Sequence, residues 1–420
     1  MTRNYYMVVL IFLIFFVISF ITNILGSINP NVSDSFHLSG AMTGLLPFSF
    51  FIAYGLMSIP SGMIVEKYKE KTSMNAGWII ATLGAFIFAL FPSYPVFLCS
   101  LFMIGTAMAM MQVVINPLLR VSGGEEHFAF YSVFAQLIFG GASFLSPFVY
   151  SYLVLHLKDG VQSTSGWLHM LARLTPEHLP WVSLYWIFGL ITLSMIGWIS
   201  LTKFPGVERK EDELTGAWKT HRELFRNRTV LVFFFGIFAY VGTEQGIANW
   251  ISEFLRTYHG LHPEIEGAAA VGQFWGLLTV GCLLGMVLLK IMDSKLVLRI
   301  FVISAMIILT ITLFGNSKIA MIGFPVLGFC LSVMWSIVVS LALNSVDKHH
   351  GTFSGILCSG IAGGALISLL IGQLKDLIGL RQGMFVIYLT LGYLLFISFW
   401  AKPLIVNKTI QRKQGSGTGD

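Results

Sequence analysis

Charge is scarce in this sequence. Only 11% of its 420 residues are Asp, Glu, Lys or Arg, less than half the usual share of about 25% in a water-soluble domain, so the chain lacks the side chains needed to cover a solvated surface. Cysteine is scarcer still. Cys99, Cys282, Cys330 and Cys358 all fall inside apolar runs, which leaves no extracellular disulfide framework and casts them as small packing residues. No Cys or second His stands at metal-ligand spacing, since His127, His221, His349 and His350 fall in or beside loops, and a metal centre is not expected. There is no G-x-x-x-x-G-K-[ST] phosphate loop, so ATP hydrolysis in this chain is unsupported. No nucleophile with an oriented base is visible either, and the chain does not read as an enzyme.

Apolar length is what the sequence has instead: 55% of residues are hydrophobic and 14% aromatic, in runs that exceed the ~20 residues needed to cross hydrocarbon. Twelve spans are expected, at 5–26, 40–64, 73–92, 95–119, 128–155, 182–203, 229–252, 267–290, 296–315, 319–345, 352–373 and 383–401. Each must be helical, because an isolated segment in lipid has to satisfy its own backbone, and the fold class is an all-α membrane protein. Span 1 is too long for a signal-peptide core and no A-x-A-like cleavage site follows it, so it is read as a permanent helix. Of the Lys and Arg residues in the joining segments, 20 fall on the side of the termini and 6 on the other; the positive-inside rule then makes both termini cytoplasmic. The net charge of +6 is a topology signal, which implies contact with anionic membrane lipid and no nucleic-acid partner.

The hydrophilic stretch Pro205 to Arg228 divides the chain into two sets of six helices. The expected organisation is an N-terminal half over 1–204, a cytoplasmic linker over 205–228, a C-terminal half over 229–404 and a cytoplasmic tail over 405–420. Within the linker, Trp218 to Phe225 reads as a short surface helix. The segment from Lys158 to Pro180 is extracytoplasmic, and Trp167, Leu168, Leu171 and Leu174 share one helical face that caps the first half. A weak repeat supports the halving: Gly62-Met63-Ile64-Val65-Glu66-Lys67 follows span 2, and Gly285-Met286-Val287-Leu288-Leu289-Lys290 closes span 8. Two six-helix halves with both termini on one side form the architecture of transporters that bind substrate between the halves near the bilayer midplane.

Inside the membrane, polar residues cluster. Span 4 carries Gln112 and Asn116 four residues apart, on one face, just before Pro117; amides offer the donors and acceptors that sugar hydroxyls require. Span 1 has Asn23, Ser27 and Asn29, span 5 has Gln136 among Gly140, Gly141 and Ser143, span 7 has Gln245 and Asn249, and span 10 has Trp335, Ser336 and Ser340. Aromatic faces with amides around the rim suit a carbohydrate. In Gly242-Thr243-Glu244-Gln245-Gly246 lies Glu244, an acid at a depth where ionisable groups are costly and mark function. Thr243, Gln245 and Asn249 beside it supply oxygens for a hard cation, which favours Na⁺ there, with H⁺ the alternative coupling ion. The core of the spans holds no Arg or Lys to partner an anionic substrate.

These residues resemble the fucose:proton symporter family of the major facilitator superfamily, a branch that includes glucose, galactose and mannose transporters. The likeness runs over essentially the whole chain, with its best matches at Gln112 to Pro117, Ala135-Gln136, Tyr240-Val241-Gly242, and Ile361 to Gly364 through Gly372 to Asp376. The resemblance implies alternating access for a monosaccharide in a cavity lined by spans 1, 4, 5, 7, 10 and 11, with Asn23, Gln112, Asn116 and Gln136 in contact with sugar. The chain departs from that family where the fucose symporters have an aspartate in helix 1 and a glutamate in helix 4, because Gly26 and Gln112 stand there. Gly281-Cys282 and Trp335-Ser336 likewise replace a Gly-Arg and a Tyr-Pro.

The expectation is therefore a monomeric secondary transporter importing a neutral sugar such as glucose, mannose, galactose or fucose through a bacterial inner membrane. Its substrate-binding residues are Asn23, Gln112, Asn116, Gln136, Gln245, Asn249 and Trp335, with Glu244 as the cation-coupling residue. An uncoupled facilitator and a non-transporting sensor on the same fold are the alternatives.

Overall fold

A computed structural model of the chain describes residues 4–124, 128–158, 166–205, 218–346 and 350–403. Among these residues, eleven continuous helical stretches are long and apolar enough to cross a membrane, and one of them, Gly40–Leu90, is two spans joined at a non-helical Lys69. The chain is a multi-pass membrane protein of twelve spanning helices: α1 Tyr5–Ser35, α2 over 40–68, α3 over 70–90, α4 Tyr94–Gly123, α5 Phe128–Lys158, α6 Pro180–Leu201, α7 Arg228–Ala248 continued as Ile251–His259, α8 Pro263–Ile291, α9 Ser294–Phe314, α10 Ser317–Leu343, α11 Gly351–Ile378 and α12 Leu380–Trp400. Their alternating direction puts the described ends of the chain on one side, here the termini side; the other is the far side.

Several helices outrun the hydrophobic spans read from sequence. The first continues nine residues past position 26 to Ser35, and the seventh runs on to His259. Hydropathy marks the thickness of lipid, whereas a helix extends as far as its polar groups find partners. Here Trp181 donates from Nε1 to Ser35 Oγ at 3.0 Å, and Glu253 lies 2.6 Å from Lys375 Nζ. The far ends of α3, α4 and α6 are clamped by one aromatic cluster. The Phe88 ring stands 4.4 Å from Phe97 and 4.7 Å from Tyr185, and Trp181 is 5.6 Å from both phenylalanines.

Lys69 makes the tight reversal between α2 and α3 at φ 69°, ψ 167°, a region close to exclusive to glycine, whose occupation by another residue costs about 1–3 kcal/mol. Part of that strain is offset by the greater entropy glycine loses on folding. Lys69→Gly is therefore expected to stabilise the protein by about 1 kcal/mol, read as a raised thermal unfolding midpoint in detergent. A lowered midpoint would mean that the lysine side chain contributes more than its backbone loses.

Two apolar cores form. One gathers residues between Met7 and Ile199, the other residues between Val230 and Ala401; Ala268, Ala365 and Ile59 are the members that reach across. The short helix Gly166–Leu174 buries Leu168 and Leu171, while Trp167 and Leu174 are exposed, a narrower inward face than the four-residue stripe expected. A short helix at Trp218–Leu224 matches the expected surface helix. Cys330 is buried, but Cys99 is exposed, because its face of α4 points away from the protein; it is not a core residue. The mixed-charge run at 206–217, His127, His349 and the tail over 405–420 lie outside the described residues.

Candidate translocation site

Among the described residues, four helices lose regularity midway. The first breaks at Asn23, where the chain turns out of the helix before Leu25; α7 breaks at Asn249–Trp250, α10 at Ser332–Val333, and α11 tightens to a 3-10 turn over Gly360–Ala362. Asparagine competes for backbone partners and so favours such ends. At a break, backbone groups are freed inside the membrane, which is tolerated only against protein or a water-filled cavity. At the α10 break the freed Ser332 carbonyl accepts from Cys282 Sγ at 3.2 Å.

On the far side of these breaks the two halves are shut. A Cβ on Gly26 would lie 2.1 Å from the Ala248 carbonyl oxygen, so α1 and α7 touch backbone to backbone. Asn29 Nδ2 donates to Asn249 O at 3.0 Å. Asp376 of α11 accepts from the first two amides of α2, Gly40 N at 2.6 Å and Ala41 N at 2.8 Å, an N-terminal cap supplied by the opposite half. Arg256 pairs with Asp34, and Lys158 Nζ stands 2.5 Å from Glu264 Oε1. Asp34 and Lys158 are more than half exposed, so each of these pairs contributes about 0–1 kcal/mol, which suits a closure that has to reopen.

Toward the termini side the halves part. Along one face of α5, Gly140 meets Thr279 and Phe144 and Phe148 meet Gly276 and Gly272 of α8. One turn nearer the termini on that same face, Gln136 is exposed. Asn116 is also exposed and Gln112 half-buried on α4, as are Ser336 and Trp335 respectively on α10. Helices α2 and α11 stay packed instead, at Gly44 against Leu369 and at Gly55 against Ala362.

Glu244 sits at the head of this parted space, half-buried. Tyr240, one turn before it, donates from its hydroxyl to Glu244 Oε1 at 2.7 Å, and Gln245 Nε2 is 3.5 Å from Oε2. The Tyr240 ring stands 5.9 Å from that of Trp335, so α7 and α10 present an aromatic pair beside the carboxylate. The structure thus brings Glu244 and Trp335 together on one half, with Gln112, Asn116 and Gln136 on accessible faces of the other.

The remaining candidates are buried and already bonded. Asn23 Nδ2 donates to Ser143 Oγ at 2.7 Å, tying α1 to α5. Asn249 Nδ2 donates to Gln245 O at 2.9 Å, and Gln245 packs its stem beside Gly364. Thr243 faces away, bonded to Ala239 O at 2.8 Å and to Thr390 Oγ1 of α12 at 2.6 Å. The oxygen shell expected from Thr243 and Asn249 is therefore not assembled around Glu244 in this conformation. Among the described residues, no group of three or more His, Cys, Asp or Glu is placed to hold a metal ion.

Tyr240 is the site residue that the sequence reading passed over, although its place four residues before Glu244 puts it on the same helical face. The far-side closure was missed as well. Its signal is the placement of Lys158 and Arg256, two of the few far-side cations, opposite Glu264 and Asp34 of the other half.

Comparison with known proteins places this geometry among relatives. The model of the Major Facilitator Superfamily matches residues 11–364. A glucose/galactose transporter of Brucella abortus is 28% identical over 389 residues, covering 91% of each chain. The L-fucose-proton symporter of Escherichia coli is 23% identical, covering 87% of this chain and 86% of that one. The outward-conformation crystal structure of the transporter FucP superposes with a TM-score of 0.67 at 20% identity, over 94% of this chain and 98% of that one. An inward-facing, occupied bacterial homologue of the human lysosomal transporter Spinster superposes at 0.78 and 15% identity, over 95% and 97%.

Proposed function

Because the chain belongs to the Major Facilitator Superfamily, we propose that it imports a neutral monosaccharide in the range of glucose, galactose, mannose and fucose by alternating access, coupled to a cation through Glu244. The names of the glucose/galactose and L-fucose-proton relatives support the substrate class. The observation that carries the reading is the pairing of two walls. Gln112, Asn116 and Gln136 offer amides from one half, and the Glu244–Tyr240 pair with Trp335 offers a carboxylate, a phenol and an aromatic face from the other. Amides and aromatic faces bind hydroxyl-rich neutral rings. A proton is favoured over Na⁺ as the coupling ion, since the neighbour that reaches Glu244 is a phenol and the oxygens of Thr243 and Asn249 are turned to other partners. The charge bias in the joins supports termini in the cytoplasm and a bacterial inner membrane, and one copy suffices for the site.

Purified protein in liposomes tests the reading by counterflow of labelled glucose, mannose, galactose, fucose and N-acetylglucosamine, repeated with an imposed pH gradient and with an imposed Na⁺ gradient. Exchange of one of the neutral hexoses, concentrated by the pH gradient, is expected. Exchange that neither gradient concentrates would identify a facilitator, and no exchange at all would leave a sensor on a transporter fold. Within the site, Gln112→Ala or Asn116→Ala is expected to weaken sugar binding by about 1–3 kcal/mol, the cost of stranding a polar partner, measured by calorimetric titration. Parental affinity in both variants would make the pair a helix-packing feature.

A further inference from the structure

Away from the space between the halves, the α8–α9 turn and the termini-side ends of α10 and α12 enclose a cavity of about 390 Å³. Three cations line it, Lys295, Arg299 and Lys402, with the polar groups of Ser340 and Asn344 and a single acid, Asp293. That acid is engaged in capping α9, its Oδ1 accepting from Lys295 N at 2.9 Å. Two of the cations are held in place by neutral groups. Lys295 Nζ donates to Ala401 O at 2.8 Å, Arg299 Nη2 donates to Ser398 O at 3.0 Å, and the guanidinium lies 4.0 Å over the Phe399 ring. Among the described residues, Arg299 Nε is buried with no partner, a donor whose desolvation none of them offsets.

We propose that this cavity binds a phosphate group, carried either by an anionic phospholipid headgroup or by a free phosphate from the aqueous side. Phosphate oxygens match the chemistry on offer: Arg299 gives the planar fork of donors that suits a tetrahedral oxyanion, Lys295 and Lys402 give point charges, and Ser340 and Asn344 complete the shell. The aqueous mouth admits a free anion, and Phe399, 60% exposed, turns the neighbouring wall toward lipid. Ser340 belongs to Met334–Leu343, the segment of α10 after its break, which carries Trp335 at its other end. Occupancy therefore steadies the segment that holds the site's aromatic face, although phosphate binding itself does not depend on the sugar reading.

The test uses full-length protein in nanodiscs of phosphatidylcholine alone or mixed in equal parts with phosphatidylglycerol, and in phosphatidylcholine titrated with inorganic phosphate at constant ionic strength. Thermal midpoints and lipid retained in native mass spectrometry are the readouts. At least one probe is expected to raise the wild-type midpoint, and Lys402→Gln and Arg299→Lys are each expected to weaken that response about tenfold, the value of one charge-assisted contact. A response to phosphatidylglycerol alone identifies a lipid headgroup, and a response to inorganic phosphate alone identifies a soluble ligand. Lys402 is exposed, so its variant carries the test if Arg299→Lys does not fold. The proposal is overturned if neither probe shifts the wild type, or if Lys402→Gln responds as the wild type does.

Discussion

Glu244→Gln is expected to bring the steady-state sugar ratio across the membrane down to one while exchange of labelled sugar continues. For one proton carried per neutral sugar, a pH difference of one unit supplies ~1.4 kcal/mol and a potential of 100 mV ~2.3 kcal/mol. Together these sustain roughly 500-fold accumulation, all of which the variant forfeits. Glutamine keeps the size of the side chain and its capacity to accept from the Tyr240 hydroxyl, now 2.7 Å from Oε1, so folding and the aromatic pair with Trp335 are preserved. The measurement is labelled-sugar uptake into liposomes under an imposed gradient, beside counterflow without one. Gradient-driven accumulation at the wild-type level in Glu244→Gln would move coupling to another group. The buried Glu253, held by Lys375 and Arg256, would be next in line.

Gly26→Val is expected to reduce transport by more than about a hundredfold with folding intact. A Cβ at position 26 falls 2.1 Å from Ala248 O and 2.9 Å from its carbonyl carbon, a clash with backbone that no rotamer relieves. Overpacking within a core typically costs about 1–3 kcal/mol. Here the contact joins the two halves, so the halves can separate and each keeps its own core. The far-side closure is what fails, and a transporter that cannot close one side cannot cycle. Counterflow should be nearly abolished while sugar still stabilises the variant against heat. Near-normal counterflow would show that α1 and α7 slide past each other without the contact seen here. Gly364→Leu is a milder version of the same test. A Cβ at position 364 would lie 3.1 Å from the Gln245 stem and 3.3 Å from the Phe51 ring of the first half, so transport should slow more than binding weakens.

Twelve helices were legible because each needs a run of apolar residues, and nothing local competes with that signal. The ends were not, since Asn29 to Ser35 and Glu253 to His259 are polar by hydropathy yet helical through partners elsewhere in the chain. Gln112, Asn116 and Glu244 could be singled out because an amide or acid in an apolar run is conspicuous. Which polar residues face the parted space could not be read that way. Thr243 and Glu244 are neighbours in sequence, yet one points to Thr390 and the other toward Tyr240, a divergence set by helical rotation against α12. The far-side closure is contributed by pairs 106 to 336 residues apart, and no periodicity in one segment reports its partner in another.

Those separations also shape how the protein is made. With synthesis at about 5–20 residues per second, the ~340 residues between Gly40 and Asp376 take very roughly 20–70 s to emerge. For that interval the first half sits in the membrane with the amides of Gly40 and Ala41 uncapped, and Asn29 waits through the shorter stretch to Asn249 for its carbonyl. Its apolar core lacks only Ala268 and Ala365 of the second half, so what waits is a nearly finished bundle with an unpaired polar seam. Such a bundle is a natural client for whatever assists insertion, and one that a stalled ribosome would strand.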